Sequence, residues 1–210
     1  MLNLNDFAKE VHENAKSHGW WEGHRSFAEI SALFHSEWSE ALEEYRNGRP
    51  MVYHVCTGGL DYIDCDGHPD MEAVDICLQD VYKGCHYRKD KPEGIAVELI
   101  DGVIRILDWI GKEGIDIFPH TIKANTEVLS SARMNKISGA ELPELVARLH
   151  CYTSNAYMED DNEDRGDYLI SAMVTVFFWL ESKGVDVEKV MLEKHAYNRS
   201  RPYKHGNKKC

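Results

Sequence analysis

The chain has 210 residues, 36 acidic and 24 basic side chains, and a formal net charge of −12. That length allows one domain with a sizeable core or two small ones, and 43% hydrophobic with 29% charged residues excludes a disordered chain. The acidic excess argues against broad binding to a phosphate backbone, no apolar run is long enough to span a bilayer, and the polar stretch Met1 to Lys16 holds no signal-peptide core. The expectation is a cytoplasmic protein with no nucleic-acid or membrane partner, whose six cysteines stay reduced.

Residues 4–17 carry Leu4, Phe7, Val11 and Ala15 at helical spacing, and Gly19 is placed like a helix C-terminal glycine. Trp20-Trp21-Glu22-Gly23-His24 then reads as a loop. Ser26 followed by Glu29 is a capping-box pattern, and the helix it opens runs to about Asn47, where Gly48 and Pro50 stop it. Residues 51–91 have no clean period and mix glycine with Cys, His and Tyr. Glu93 to Gly114 is a strong amphipathic helix, and Pro119 opens another to about Lys136. Further helices are expected at 141–158, 166–183 and 186–198, before a basic tail from Arg201 to Cys210. No strand is expected outside 51–91.

The chain repeats itself. A shift of 115 places Glu29, Ala32, His35, Ser39 and Ala41 on Glu144, Ala147, His150, Ser154 and Ala156. A shift of 70 places Leu99, Ile100, Trp109, Gly114 and Asp116 on Leu169, Ile170, Trp179, Gly184 and Asp186. The two shifts differ by 45 residues, about the length of the irregular segment, so 51–91 reads as an insertion into a helical hairpin. Copy one covers about 1–136 and a degenerate copy two about 141–205, within a single domain.

Glu37-x-x-Glu40 and Glu98-x-x-Asp101 are acidic pairs on helices, and residues three apart on a helix share a face about 5–6 Å apart. Two facing pairs supply oxygen ligands suited to a hard divalent cation. Copy two replaces all four acids, with Tyr152, Asn155, Tyr168 and Ser171. Mutual repulsion would disfavour four facing acids without a cation, so their presence in one copy alone points to one metal site. Glu43 and Glu44 read instead as a solvated helix face. Copy two keeps Lys194, Asn198 and Arg201, spaced to share a helix face and suited to phosphate oxygens. Trp20, Trp21 and His24 are candidates for stacking on a base. Cys56, Cys65, Cys77 and Cys85 with His54, His68 and His86 lack any Cys-x-x-Cys spacing, so zinc is not expected and the segment reads as an irregular lid with free thiols.

The ordered set Gly19-Trp20-Trp21, Arg25-Ser26-Phe27, His35-Ser36-Glu37, Ala41 to Tyr45, Gly94 to Glu98 and Tyr197 to Gly206 resembles the all-α nucleoside triphosphate pyrophosphatases, the MazG-like and dimeric dUTPase superfamily. The resemblance implies an all-α fold on a four-helix core, as a monomer or homodimer. It implies Mg²⁺-dependent hydrolysis of a (deoxy)nucleoside triphosphate to the monophosphate and pyrophosphate, with Mn²⁺ a possible substitute, in nucleotide-pool control or housecleaning. By position Glu37, Glu40, Glu98 and Asp101 would be metal ligands and catalytic, and Lys194, Asn198 and Arg201 would bind phosphate. The interval between the acidic pairs is longer than the family's. The alternative is a catalytically silent nucleotide- or metal-binding regulator.

Overall fold

A computed structural model describes residues 2–55, 91–128 and 136–204, with backbone only at 124–128. The described chain is mostly helical. Its elements are α1 (Leu4–Ser17), α2 (Phe27–Arg46), β1 (Tyr53–Val55), β2 (Lys91–Glu93), α3 (Ile95–Glu113), α4 (Ile117–Val128), α5 (Leu142–Met158), α6 (Asn162–Ser182) and α7 (Val187–Arg199). No single helix among the described residues is long and apolar enough to cross a membrane.

The organising element is α3. Thirteen of its 19 residues are buried, among them Leu99, Ile100, Ile106 and Trp109, and a helix apolar on nearly every side belongs at the centre of a bundle. Helices α1, α2, α6 and α7 all pack on it, α5 lies against α2 and α6, and α4 lies on α6. The pattern of helix–helix contacts is similar when α2, α3 and α4 are exchanged for α5, α6 and α7. Residues 115 apart meet across it. The His35 and His150 rings stack with centroids 5.0 Å apart, and Trp38 Nε1 donates to Thr153 Oγ1 at 3.0 Å. Gly114 and Gly184, 70 apart, end α3 and follow α6 at φ +72° and +78°, the left-handed conformation that only glycine adopts freely.

Local signals in the sequence set most of the boundaries. The Ser26 capping box is present, with Ser26 N–H donating to Glu29 Oε2 at 2.8 Å and Glu29 N–H donating to Ser26 Oγ at 3.3 Å. Helix α6 starts at Asn162, earlier than the expected 166, because Asp161 caps it through the N–H groups of Glu163 and Asp164. Helix α3 starts at Ile95 and not at Glu93. Lys91–Glu93 is drawn into an antiparallel ladder, with Tyr53 opposite Glu93 and Val55 opposite Lys91. Gly94 then turns the chain at φ +111°, where a Cβ would lie 2.8 Å from the carbonyl oxygens of Pro50 and Met51. Those carbonyls take the helix's first free N–H groups, Ile95 N at 3.3 Å and Ala96 N at 2.9 Å, the role a side-chain cap usually fills. Both ends of the 51–91 segment are thereby fixed against the N-terminus of α3. The cysteines and histidines from Cys56 to His86 lie outside the described residues, as do residues 129–135 of the helix expected to run from Pro119 to about Lys136; Lys136 itself is helical.

One contact brings α2 and α3 into register. Trp38, fully buried, lies over Gly102, where a Cβ would sit 2.3 Å from the indole ring. Only a residue without a side chain lets the two backbones approach this closely. Substituting Gly102→Ala forces the indole or the helix to move, and overpacking of this kind costs about 1–3 kcal/mol. A lowered melting temperature is expected, together with loss of the site described next. An unchanged melting temperature would show that α2 and α3 are not held by this contact.

Candidate metal centre

On α2 the buried stripe runs through Ile30, Phe34, Trp38 and Ala41. Glu37 lies three residues after Phe34 and four before Ala41, on the flank of that stripe. It is carried inside with it, to 3% exposure. Glu98 sits among the apolar residues of α3 and is 6% exposed. Asp101 follows one turn later, next to Gly102. Trp38 and Gly102 are therefore the neighbours of two of the three acids, and their contact sets how far apart the acids stand. Oxygens of Glu37, Glu98 and Asp101 lie within 4.8 Å of one another. Glu40 is outside that triad. It is exposed and accepts a hydrogen bond from Ser36 Oγ at 2.9 Å.

The charges around the triad are uneven. Lys194, 3% exposed, reaches Asp101 Oδ2 at 3.3 Å, and the Asn198 amide donates to Asp101 Oδ1 at 3.1 Å. Burial acts to raise the Asp101 pKa, but Lys194, Arg105 and the Asn198 amide outweigh it and hold the carboxyl below its ordinary value. Arg105 Nε donates to Glu37 Oε1 at 2.5 Å. Even so, burial, reinforced by the Asp101 charge, pushes Glu37 up to about 7. Burial pushes Glu98 up to about 8; Lys194 opposes this, while Asp101, Glu37 and a hydrogen bond with the Glu93 carboxyl add to it. Two cations therefore serve three clustered carboxylates, with a fourth acid at the rim. The set consists of hard oxygen donors, is short of positive charge and opens to solvent, which fits a divalent cation such as Mg²⁺ or Mn²⁺.

The triad lies in a cavity of about 480 Å³ whose walls include Glu40, Arg105, Lys194, Arg201 and Trp20. A smaller cavity of about 80 Å³ adjoins it, sharing Trp20, Asp101, Arg105 and Arg201 and adding Asn14, His18 and Asn198. Lys194 and Asn198 are both engaged with Asp101. Among the described residues, no carboxylate lies within ion-pair distance of the Arg201 guanidinium. A strap after α7 places Arg201: His18 Nε2 bonds its carbonyl at 2.9 Å and Lys204 N–H donates to the His18 carbonyl at 3.0 Å.

The three base-stacking candidates separate. Trp20 lines both cavities. Trp21 is turned away, its Nε1 donating to Asp108 Oδ1 at 2.8 Å, with His12 against the ring edge. His24 is exposed and lines neither cavity. Glu44 differs from the expected solvated face. It is half-buried, bonded to the Tyr53 hydroxyl, and burial raises its pKa. Arg105 lies outside the acidic spacing, although the repeat carries its signal. The shift of 70 places it on Thr175, so the half that lacks the acids lacks this arginine too.

Comparison with family models, with characterised proteins and with solved structures finds no match to the chain.

The raised carboxyls link stability to pH. Unfolded glutamate titrates near pH 4.3, and the folded values are about 7 for Glu37 and about 8 for Glu98. Between those limits the folded chain holds protons that the unfolded chain has released, so the contribution present below pH 4.3 is lost as pH rises through 7–8. In chelator, the melting temperature should fall between about pH 5 and 8.5. At the upper end a saturating divalent cation should restore it by several degrees, since a ligand at about 100 times its Kd adds about 2.7 kcal/mol. A melting temperature that ignores the cation at pH 8.5 would mean that the triad does not bind it.

Proposed function

We propose that the chain is an internally duplicated all-α nucleoside triphosphate pyrophosphatase of the MazG-like and dimeric dUTPase type, with one working site. The observation that carries this reading is the convergence of Glu37, Glu98 and Asp101 from two helices, within 4.8 Å, in a cavity that also holds Arg201 and Trp20. The meeting of His35 with His150 and of Trp38 with Thr153, each pair 115 residues apart, supports the duplication. Two copies of one hairpin facing each other bring matching residues together near their axis.

Glu37, Glu98 and Asp101 would hold Mg²⁺, which supplies Lewis-acid polarisation of a phosphate oxygen when bound. Lys194 and Asn198 keep Asp101 ionised and oriented. Arg201 pairs with phosphate oxygens and stabilises charge that develops on them. Glu40, at the rim and hydrogen-bonded to Ser36, is placed to take the proton of the attacking water as it adds to the α-phosphorus and pyrophosphate leaves. Trp20 offers an indole face to the base beside the phosphates, whereas Trp21 buttresses α3 through Asp108.

A panel of canonical and modified nucleoside triphosphates, with and without Mg²⁺, tests the reading. Pyrophosphate and a monophosphate should form from at least one substrate, and only with the cation. Glu98→Gln should reduce turnover to background while the helical circular dichroism spectrum is kept. Full activity in that variant would remove the site assignment, and no Mg²⁺-dependent release from any substrate would remove the activity. Within an active enzyme, Trp20→Ala should raise KM with little effect on kcat, and Trp21→Ala should lower the melting temperature instead. The reverse pattern would exchange the roles of the two tryptophans.

A further inference from the structure

The two cations bound to the triad differ in their freedom to move. The Lys194 side chain is 3% exposed and is held at Asp101, which also takes the Asn198 amide. The Arg105 side chain is 37% exposed, holds Glu37 through Nε, and forms part of the wall between the two cavities. It stands one turn after Asp101 on α3. The copy-two equivalent is Thr175, fully buried, with its hydroxyl donating to the Ser171 carbonyl at 2.7 Å. The corresponding helix α6, which lacks the acids, thus lacks the arginine as well.

Resting on the pyrophosphatase reading, we propose that Arg105 is a resident counter-ion that occupies Glu37 while the site is free of metal, is displaced from it by the divalent cation, and then binds a phosphate oxygen of the substrate. A buried carboxylate left alone is costly, so the metal-free site needs a cation of its own. That cation must also be able to leave, because positive charge bonded to Glu37 Oε1 opposes a metal ion at the same carboxylate. A partly exposed arginine on a long flexible stem meets both demands; the buried Lys194 meets only the first. Once displaced, the guanidinium remains in the cavity wall, where its planar fork suits phosphate oxygens. Arg105 and Arg201 then become the two cations that meet the triphosphate, and Lys194 stays with Asp101. The exchange is a hand-over of hydrogen-bond and ionic partners, with no covalent change.

Two binding measurements on the full-length chain test this without relying on turnover. The first is an Mn²⁺ titration at pH 8.5 under inert gas, where a proton does not replace the arginine on Glu37. Arg105→Gln should bind Mn²⁺ about tenfold more tightly than the unsubstituted chain, the order expected for removing one positive charge from a partly solvated site. The second is pyrophosphate binding at saturating Mn²⁺, which should weaken by about tenfold or more in Arg105→Gln, as for the loss of one charge-assisted phosphate contact. Arg105→Lys keeps the charge and covers the case in which Arg105→Gln does not fold. It should leave Mn²⁺ affinity within about twofold and still weaken pyrophosphate binding, because a lysine lacks the fork. Equal or weaker Mn²⁺ binding in Arg105→Gln overturns the counter-ion role, and unchanged pyrophosphate affinity overturns the phosphate role. If the unsubstituted chain hydrolyses nucleotides and both variants match it in every measurement, the Arg105 proposal alone fails. If the unsubstituted chain binds no Mn²⁺, the pyrophosphatase reading fails with it.

Discussion

The candidate site depends on apolar packing that holds three mutually repelling carboxylates close together inside the bundle. Glu37 and Glu98 are nearly as buried as the leucines around them, a position that acidic side chains rarely take without a partner. What holds them there is not mutual attraction. The indole of Trp38 against the bare backbone at Gly102 brings α2 onto α3, and Trp38 is itself fixed by Thr153 on α5. The apolar packing supplies the stabilisation, and the acids accept the electrostatic cost. Burial drives two of the three carboxyls toward the neutral form, while Lys194 keeps the third charged. A site in that condition is stabilised by whatever brings in positive charge.

The β1–β2 ladder and the C-terminal strap complete the described surroundings of this triad. The β1–β2 ladder and the Pro50 and Met51 carbonyls fix the first turn of α3, from which Glu98 projects. They also set Glu93 against Glu98, so the root of the 51–91 segment touches the acidic cluster directly. On the opposite side the strap through Arg201 is attached to the C-terminal end of α1 at His18. The cavity is thus walled by elements from both halves of the chain, with Glu37, Glu98, Asp101 and Arg105 from the first and Lys194 and Arg201 from the second.

Much of this was legible in the sequence because the relevant signals were local or repeated. The Ser26 capping box, the glycines after α1, α3 and α6, and the apolar stripes gave helix positions to within a few residues. The acid pairs stood out because copy two shows the scaffold without them. Other features depended on distant partners and left no local trace. Helix α3 starts at Ile95 and not at the expected Glu93 because Lys91–Glu93 pairs with a strand 38 residues away. Glu44 departs from a solvated face because the distant Tyr53 hydroxyl bonds it. The separation of Glu40 from the triad, and of Trp21 from the cavity, follows from which side of a helix faces the core, and neighbours in sequence do not reveal that. Arg105 was visible in the repeat but falls outside the acidic spacing that drew attention to its helix.

As proposed, Glu37, Glu98 and Asp101 together form a cation site. Crystals soaked in Mn²⁺ and measured for anomalous scattering test it most directly. The expected result is a strong peak enclosed by the three carboxylates, with the Arg105 guanidinium moved off Glu37. A map with no peak there, in which Arg105 still bonds Glu37 and Mn²⁺ scatters only at surface acids, would contradict the account.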